Sequence, residues 1–210
     1  MARYTGPVCR LCRRSGEKLF LKGDRCMSPK CAVEKGAVPP GEHGNSRRRR
    51  RPSEYAIALK EKQRAKIIYG VLERQFSKYF AEAAKRPGST GVVLLQMLER
   101  RLDNAVFRLG LAESRAKARQ IVSHGHISIN GRKTDVPSYL VKVGDAIGWV
   151  ERSTKTEMYK TIVGGQQRAA IPKWLSLDAQ TMTGKVVALP EPTDMDLKVE
   201  ERLIVELYSR

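Results

Sequence analysis

Ser114-Arg115-Ala116-Lys117-Ala118-Arg119-Gln120-Ile121-Val122-Ser123-His124-Gly125-His126-Ile127-Ser128-Ile129-Asn130-Gly131-Arg132 is the stretch that decides the fold. Its first half has a helical period: Ser114 suits a cap, Ala118, Ile121 and Val122 share one face, and Gly125 stops the helix. The period then changes to two. His126-Ile127-Ser128-Ile129 alternates as a strand, and Asn130-Gly131 is a hairpin turn because both residues tolerate positive φ. A helix therefore runs straight into a strand hairpin.

Working outward, Gly144-Asp145 predicts a second turn between strands at 139–143 and 146–150, with further strands at 174–177 and 185–189. Residues 199–208 fit a helix through Leu203, Ile204 and Leu207, or a strand by alternation with Glu206; helix is the preferred reading. Upstream, Thr90 can cap a helix through Leu94, Leu95 and Leu98, and the apolar pattern continues past Leu102, Val106 and Leu109 to Gly110. Leu72, Phe76, Tyr79, Phe80 and Ala83 mark an amphipathic helix closed by Arg86-Pro87-Gly88. Another, from Pro52-Ser53 to Tyr69 and Gly70, has few apolar positions (Ile57, Ile68) and should be largely exposed. Residues 1–51 show no periodicity and are rich in Gly, Pro and Arg, which predicts an extended arm. The expected segments are therefore an arm over 1–51, a helical domain over 52–98 with 190–210 as its candidate completion, and an α+β domain over 99–189.

The 210 residues carry a formal charge of +18, and a surface of that sign seeks a polyanion. The charge is unevenly spread. Residues 1–51 hold 14 Lys and Arg against 4 Asp and Glu, residues 52–134 hold 16 against 7, and residues 135–210 hold 10 against 11. The polyanion should be gripped by the first two thirds. The tail from Glu191 carries Asp194, Asp196, Glu200, Glu201 and Glu206 against Lys198 and Arg202, a sign phosphate would repel, so Glu200 and Glu201 are candidate protein contacts. No stretch approaches the roughly 18 apolar residues of a membrane span, and Met1-Ala2-Arg3-Tyr4 begins no secretory signal, so a cytoplasmic protein without a membrane partner is expected. Nothing calls for a homo-oligomer.

Cys9-x2-Cys12-x13-Cys26-x4-Cys31 is two short pairs flanking a loop, a spacing that suits four thiolates around one ion in a reducing compartment. The loop has little beyond Leu19, Phe20 and Leu21 to bury, so metal must supply the missing stability. Zn²⁺ with four thiolates carries −2, which Arg10, Arg13, Arg14, Arg25 and Lys30 can offset. An iron–sulfur cluster accepts the same four cysteines, and spacing does not separate the two. His43 is a spare ligand or a solvated loop histidine.

Arg47, Arg48, Arg49, Arg50 and Arg51 repel one another in isolation and become a phosphate clamp against RNA, since guanidinium forks match phosphate. On the 114–124 helix, Ala116, Arg119, Gln120 and Ser123 lie opposite the apolar face, with Arg115 and Lys117 at its edges and the amides of Ser114 and Arg115 favouring an anion. Arg3, Arg10, Arg13, Arg14, Lys22, Lys30, Lys62, Arg64, Arg108, His124, His126 and Arg132 complete the candidate RNA contacts.

Arg101-Leu102-Asp103-Asn104-Ala105-Val106-Phe107-Arg108-Leu109-Gly110, with Ser114-Arg115, Ala118-Arg119-Gln120, His124-Gly125-His126 and Asn130-Gly131, resembles the RNA-binding domain named after ribosomal protein S-four. That domain would occupy about 100–165. Gly6-Pro7-Val8-Cys9-Arg10-Leu11-Cys12-Arg13-Arg14 and Pro39-Pro40-Gly41-Glu42-His43-Gly44 upstream, Pro137-Ser138-Tyr139 and Gly144-Asp145 downstream, and the closing Tyr208-Ser209-Arg210 are similar to the bacterial S-four ribosomal protein family, four-cysteine type. Residues 155–171 carry the least resemblance. The resemblance implies a helical domain interrupted by an α+β domain with a small antiparallel sheet, and a metal-retaining arm. It also implies direct binding of 16S rRNA in its 5′ domain, nucleation of subunit assembly, ribosomal proteins S-five and S-twelve as partners in decoding accuracy, and a place near the mRNA entry.

An RNA-modifying or regulatory protein with the same RNA-binding domain is the alternative. Residues 135–210 offer it no Gly-rich phosphate loop and no His, and Asp178, Glu191 and Asp194 have no evident base or nucleophile beside them, so an enzyme is not expected. A DNA-binding regulator should show a recognition helix or a Cys₂His₂ finger, and neither is present.

Overall fold

The computed structural model describes residues 3–45, 51–164, 171–194 and 199–209. The chain forms two compact units: Met1–Leu94 with Leu197–Arg210, and Leu95–Asp196.

In the first unit, α1 (Val8–Ser15) and α2 (Asp24–Met27) are set among turns. The expectation of an arm without regular structure is thereby corrected. Gly16, at φ 81°, closes α1 in the left-handed region, a stop that is legible only if Leu11 and Cys12 are counted as an inward face. Helix α3 (Glu54–Tyr69) starts where Ser53 Oγ accepts the Ala56 N–H and ends at Gly70, as the sequence predicts. Its buried face is Ala58, Ala65, Ile68 and Tyr69. Helix α4 (Glu73–Ala83) buries Phe76, Tyr79 and Ala83. The preferred helix at the C-terminus is present as α9 (Glu201–Ser209), packed on α3. Tyr208 of α9 stacks on Phe80 with ring centroids 4.3 Å apart and donates its hydroxyl to Glu73. A methyl group at Gly91 would strike the stem of Glu201, so a small residue is required there.

The division between the units falls inside α5 (Thr90–Glu99). The apolar pattern that predicts helix to Gly110 is broken at Arg101, which is extended (φ −63°, ψ 137°) and fully buried, before α6 (Leu102–Arg108) begins. Periodicity cannot reveal this break, because apolar residues on both sides keep helical spacing while Arg100 and Arg101 turn their backbones to residues 139–141.

In the second unit, α7 (Arg115–Ser123) begins at the expected cap, Ser114 Oγ accepting the Lys117 N–H. The sheet has the order β2-β1-β3-β5-β4, with every pairing antiparallel. Its strands are β1 (Ile127–Ile129), β2 (Arg132–Lys133), β3 (Ala146–Trp149), β4 (Leu175–Asp178) and β5 (Thr183–Val186). The Asn130-Gly131 turn has φ of 50° and 79°, the paired positive values of a two-residue hairpin. Residues 139–143 form no strand. They bond to the α5–α6 connection instead: Leu102 N–H donates to Tyr139 O and Val141 N–H to Arg100 O. The strand expected at 174–177 lies one residue later, and that expected at 185–189 starts two residues earlier and ends three earlier. The core joins Leu102 and Val106 of α6, Leu109 just after it, Ile121 and Val122 of α7, and Ile127, Ile147 and Trp174. Gly184 of β5 lies under Leu109 so closely that a side chain there would collide with it. Helix α8 (Glu157–Gly164) occupies the region of weakest resemblance.

Candidate nucleic-acid interface

Of the expected arginines around α7, two are turned inward. Arg119 is 7% exposed, its Nη1 3.7 Å from Asp103 Oδ2, and Arg108 is 4% exposed, forked onto both oxygens of Glu99. Both are engaged in ion pairs inside the unit. Asp103 also accepts both arms of buried Arg101, at 3.0 and 2.7 Å. Asn104 Nδ2 donates to Glu99, and its Oδ1 receives Arg115 Nε at 2.7 Å. Arg115, half-buried, lies 4.5 Å over the Phe107 ring. A buried chain of charge-assisted bonds therefore fixes α6 against α7.

The face left exposed is Ala116, Lys117, Gln120, Ser123 and His124. Beside it, His126 Nδ1 lies 2.9 Å from Ser153 Oγ. Burial lowers the His126 pKa, and the nearby charges of His124, Lys133 and Lys117 lower it further, so these groups form one basic cluster. The end of the Lys133 side chain crosses Gly125, whose φ of 71° is one that L side chains rarely adopt. Lys133 and Ser153 were missed from sequence. Lys133 directly follows Arg132 in the hairpin and could have been found by pairing the strands, whereas nothing local marks Ser153. Arg132 is exposed on β2.

In the first unit, Arg3, Arg10, Arg14, Lys22, Lys30 and Arg51 are exposed. Lys62 is 2.7 Å from Glu73, and Arg64 is paired with Glu17 and Glu61, so both are engaged with carboxylates within the unit. Arg13 donates to Val38 O. Arg47 to Arg50 lie outside the described residues. Glu200 is exposed, while Glu201 packs against Gly91.

Cys12, Cys26 and Cys31 are buried and Cys9 is partly so, all as free thiols. Among the described residues, no group of three or more His, Cys, Asp or Glu is disposed to hold a metal ion. Burial pushes the Cys12 thiol up, a bond from the Leu19 backbone opposes this, and Cys26, Cys9 and Cys31 push it further, so the four sulfurs sense one another. Lys22 N–H points at Cys26 Sγ, 3.3 Å away.

Taken together, exposed Lys117 on a short helix beside exposed Arg132 and Lys133 of a hairpin, over a core locked by buried ion pairs, define a basic surface of the kind that suits a polyanion. Residues 3–99 match the family described as ribosomal protein S4/S9 N-terminal domain, and residues 100–147 match the S4 domain. Small ribosomal subunit protein uS4 of Halothermothrix orenii is 57% identical over the full length of both chains. The uS4A protein of Symbiobacterium thermophilum is 56% identical and uS4 of Thermus thermophilus 53%, again end to end. The chain belongs to the small ribosomal subunit protein uS4 family, which is not an enzyme class.

Proposed function

We propose that this protein is a structural constituent of the small ribosomal subunit that binds 16S rRNA directly, nucleates assembly of the subunit body and contributes to decoding accuracy in the cytoplasm. The observation that carries the reading is the end-to-end identity with uS4 proteins, and the exposed cluster of Lys117, Gln120, His124, Arg132 and Lys133 supplies the chemistry. Phosphate contacts from such cations fix register and orientation on RNA. Ribosomal proteins S-five and S-twelve and the mRNA near its entry are the further partners, with Glu200 at the protein-facing end. Co-sedimentation with 30S subunits in a sucrose gradient tests the reading, and a chain that stays at the top of the gradient overturns it.

Cys9, Cys12, Cys26 and Cys31 would hold one Zn²⁺, an iron–sulfur cluster being the rival occupant. Cys26, Cys9 and Cys31 all act on the Cys12 thiol, and backbone N–H groups are directed at the sulfurs of Cys12 and Cys26, so the four residues suit a thiolate site in donor chemistry. The ion would supply folding stability to a segment whose fully buried apolar side chain is Leu19.

A further inference from the structure

Between α1 and residues 37–44 lies a cavity of about 760 Å³, lined by Arg10 and Arg13 on one side and by Val38, Pro39, Pro40 and Glu42 on the other. Its size falls in the range of small-ligand sites, about 300–1,000 Å³. The walls are braced. Arg13 Nη1 donates to Val38 O at 2.9 Å, tying the loop to the helix through one of its five N–H donors. Gly44 N–H donates to Gly41 O at 3.1 Å, and a side chain at Gly44 would collide with the Pro39 carbonyl. Gly41 has φ 112°, which an L side chain rarely adopts, so the loop is held in one shape by two glycines.

The lining combines chemistries that a simple phosphate clamp would not. Guanidinium groups pair with phosphate and stack on bases, and the two proline rings offer a flat apolar wall. Glu42 is out of place beside a phosphate, which it would repel. A carboxylate is useful here as a double acceptor, and of the four RNA bases guanine alone presents two adjacent nitrogens, N1–H and the N2 amino group, as donors on its Watson–Crick edge. We propose that this cavity is a subsite for one unpaired guanosine nucleotide of RNA, its base against Pro39 and Pro40, its edge on Glu42 and its phosphate on Arg10 and Arg13. The inference rests on the RNA-binding reading and adds a base preference to it. An extruded base read on its edge is the usual way sequence is recognised in RNA.

The test uses the full chain, labelled with ¹⁵N and purified without chelator, titrated with 5′-GMP, AMP, CMP and UMP, alongside filter binding to a transcript of the 16S rRNA 5′ domain. GMP should shift the amides of Ala37, Val38, Gly41 and Gly44 and bind about fivefold or more tighter than the other three. Glu42→Gln should remove that preference, and Arg10→Ala should weaken all four nucleotides. Equal binding of the four, shifts confined to other regions, no shift at millimolar GMP, or a guanine preference that survives Glu42→Gln would each overturn the subsite. If the transcript binds while any of these holds, the subsite alone fails. If the transcript does not bind either, the proposed function fails and the subsite with it.

Discussion

Asn130 Nδ2 donates to Asp145 Oδ1 at 2.9 Å, and Asp145 Oδ2 accepts the Lys142 N–H at 2.8 Å, so one carboxylate joins the β1–β2 turn to the turn before β3. Asn130 Oδ1 returns the bond by accepting the Ala146 N–H at 2.8 Å. Asp145 is 8% exposed, and removing it leaves an amide and a backbone donor without their acceptor. Asp145→Ala should therefore destabilise the second unit by about 1–3 kcal/mol. Urea unfolding followed by the fluorescence of Trp149 and Trp174 measures this, and an unchanged midpoint would mean the two turns are held by backbone bonds alone.

Glu73 in the first unit should make stability depend on pH. Burial would push its carboxyl up, but hydrogen bonds from Lys62, Lys66 and Tyr208 prevail and hold it at about 2, below its ordinary 4.5. The folded state thus binds the proton more weakly than the unfolded chain. The contribution is complete above about pH 4.5 and disappears as pH falls toward 2. Glu73→Gln should lower the melting temperature at pH 7 and approach the wild type near pH 2; a deficit equally large at both pH values would assign the loss to packing rather than charge.

Much of this was legible because it is written locally. Ser53, Ser114, Gly70 and Asn130-Gly131 carry their own turn and cap chemistry, and each stands where the sequence puts it. What was illegible depends on partners far away in the chain. Arg119 sits on the polar side of α7 by helical spacing, yet Asp103 draws it inward. Residues 139–143 read as a strand but spend their backbone bonds on Arg100 and Leu102. In the arm, two short helices grow around cysteines whose spacing signals a metal and hides the helical turn between them.

The buried and exposed cations should separate in a mutational series. Arg119→Ala exposes the Asp103–Arg101 pair to loss of a neighbour and should lower stability by about 1–3 kcal/mol. Lys117→Ala with Lys133→Ala should leave the unfolding midpoint unchanged, weaken binding to the 5′-domain transcript and reduce the salt slope by roughly 2, since each phosphate contact contributes nearly one counterion. If the lysine pair left the slope unchanged while Arg119→Ala reduced it, the interface would lie on the other side of α7.

The four cysteines give the last expectation, which follows from how little else the first 45 residues have to hold them together. Cys12, Cys26 and Cys31 are buried with Leu19, and α1 and α2 are too short to persist alone. Burying three thiols contributes little apolar area, and a bound ion would replace the missing core. Protein purified without chelator should carry about one equivalent of zinc by elemental analysis. Stripping it should expose the arm to proteolysis after the arginines between Arg10 and Arg25 while α3 to α5 stay protected, and adding zinc back should release protons, because thiols must ionise to ligate. Cys12→Ser should mimic the stripped state. Less than about a third of an equivalent of zinc, with an arm as resistant to protease as the rest of the chain, would show that the thiols pack as buried side chains and that the stability comes from α1 against α3, with Arg64 of α3 paired at 2.7 Å to Glu17 just after α1. Iron in place of zinc, with visible absorption, would keep the ligands and change the ion.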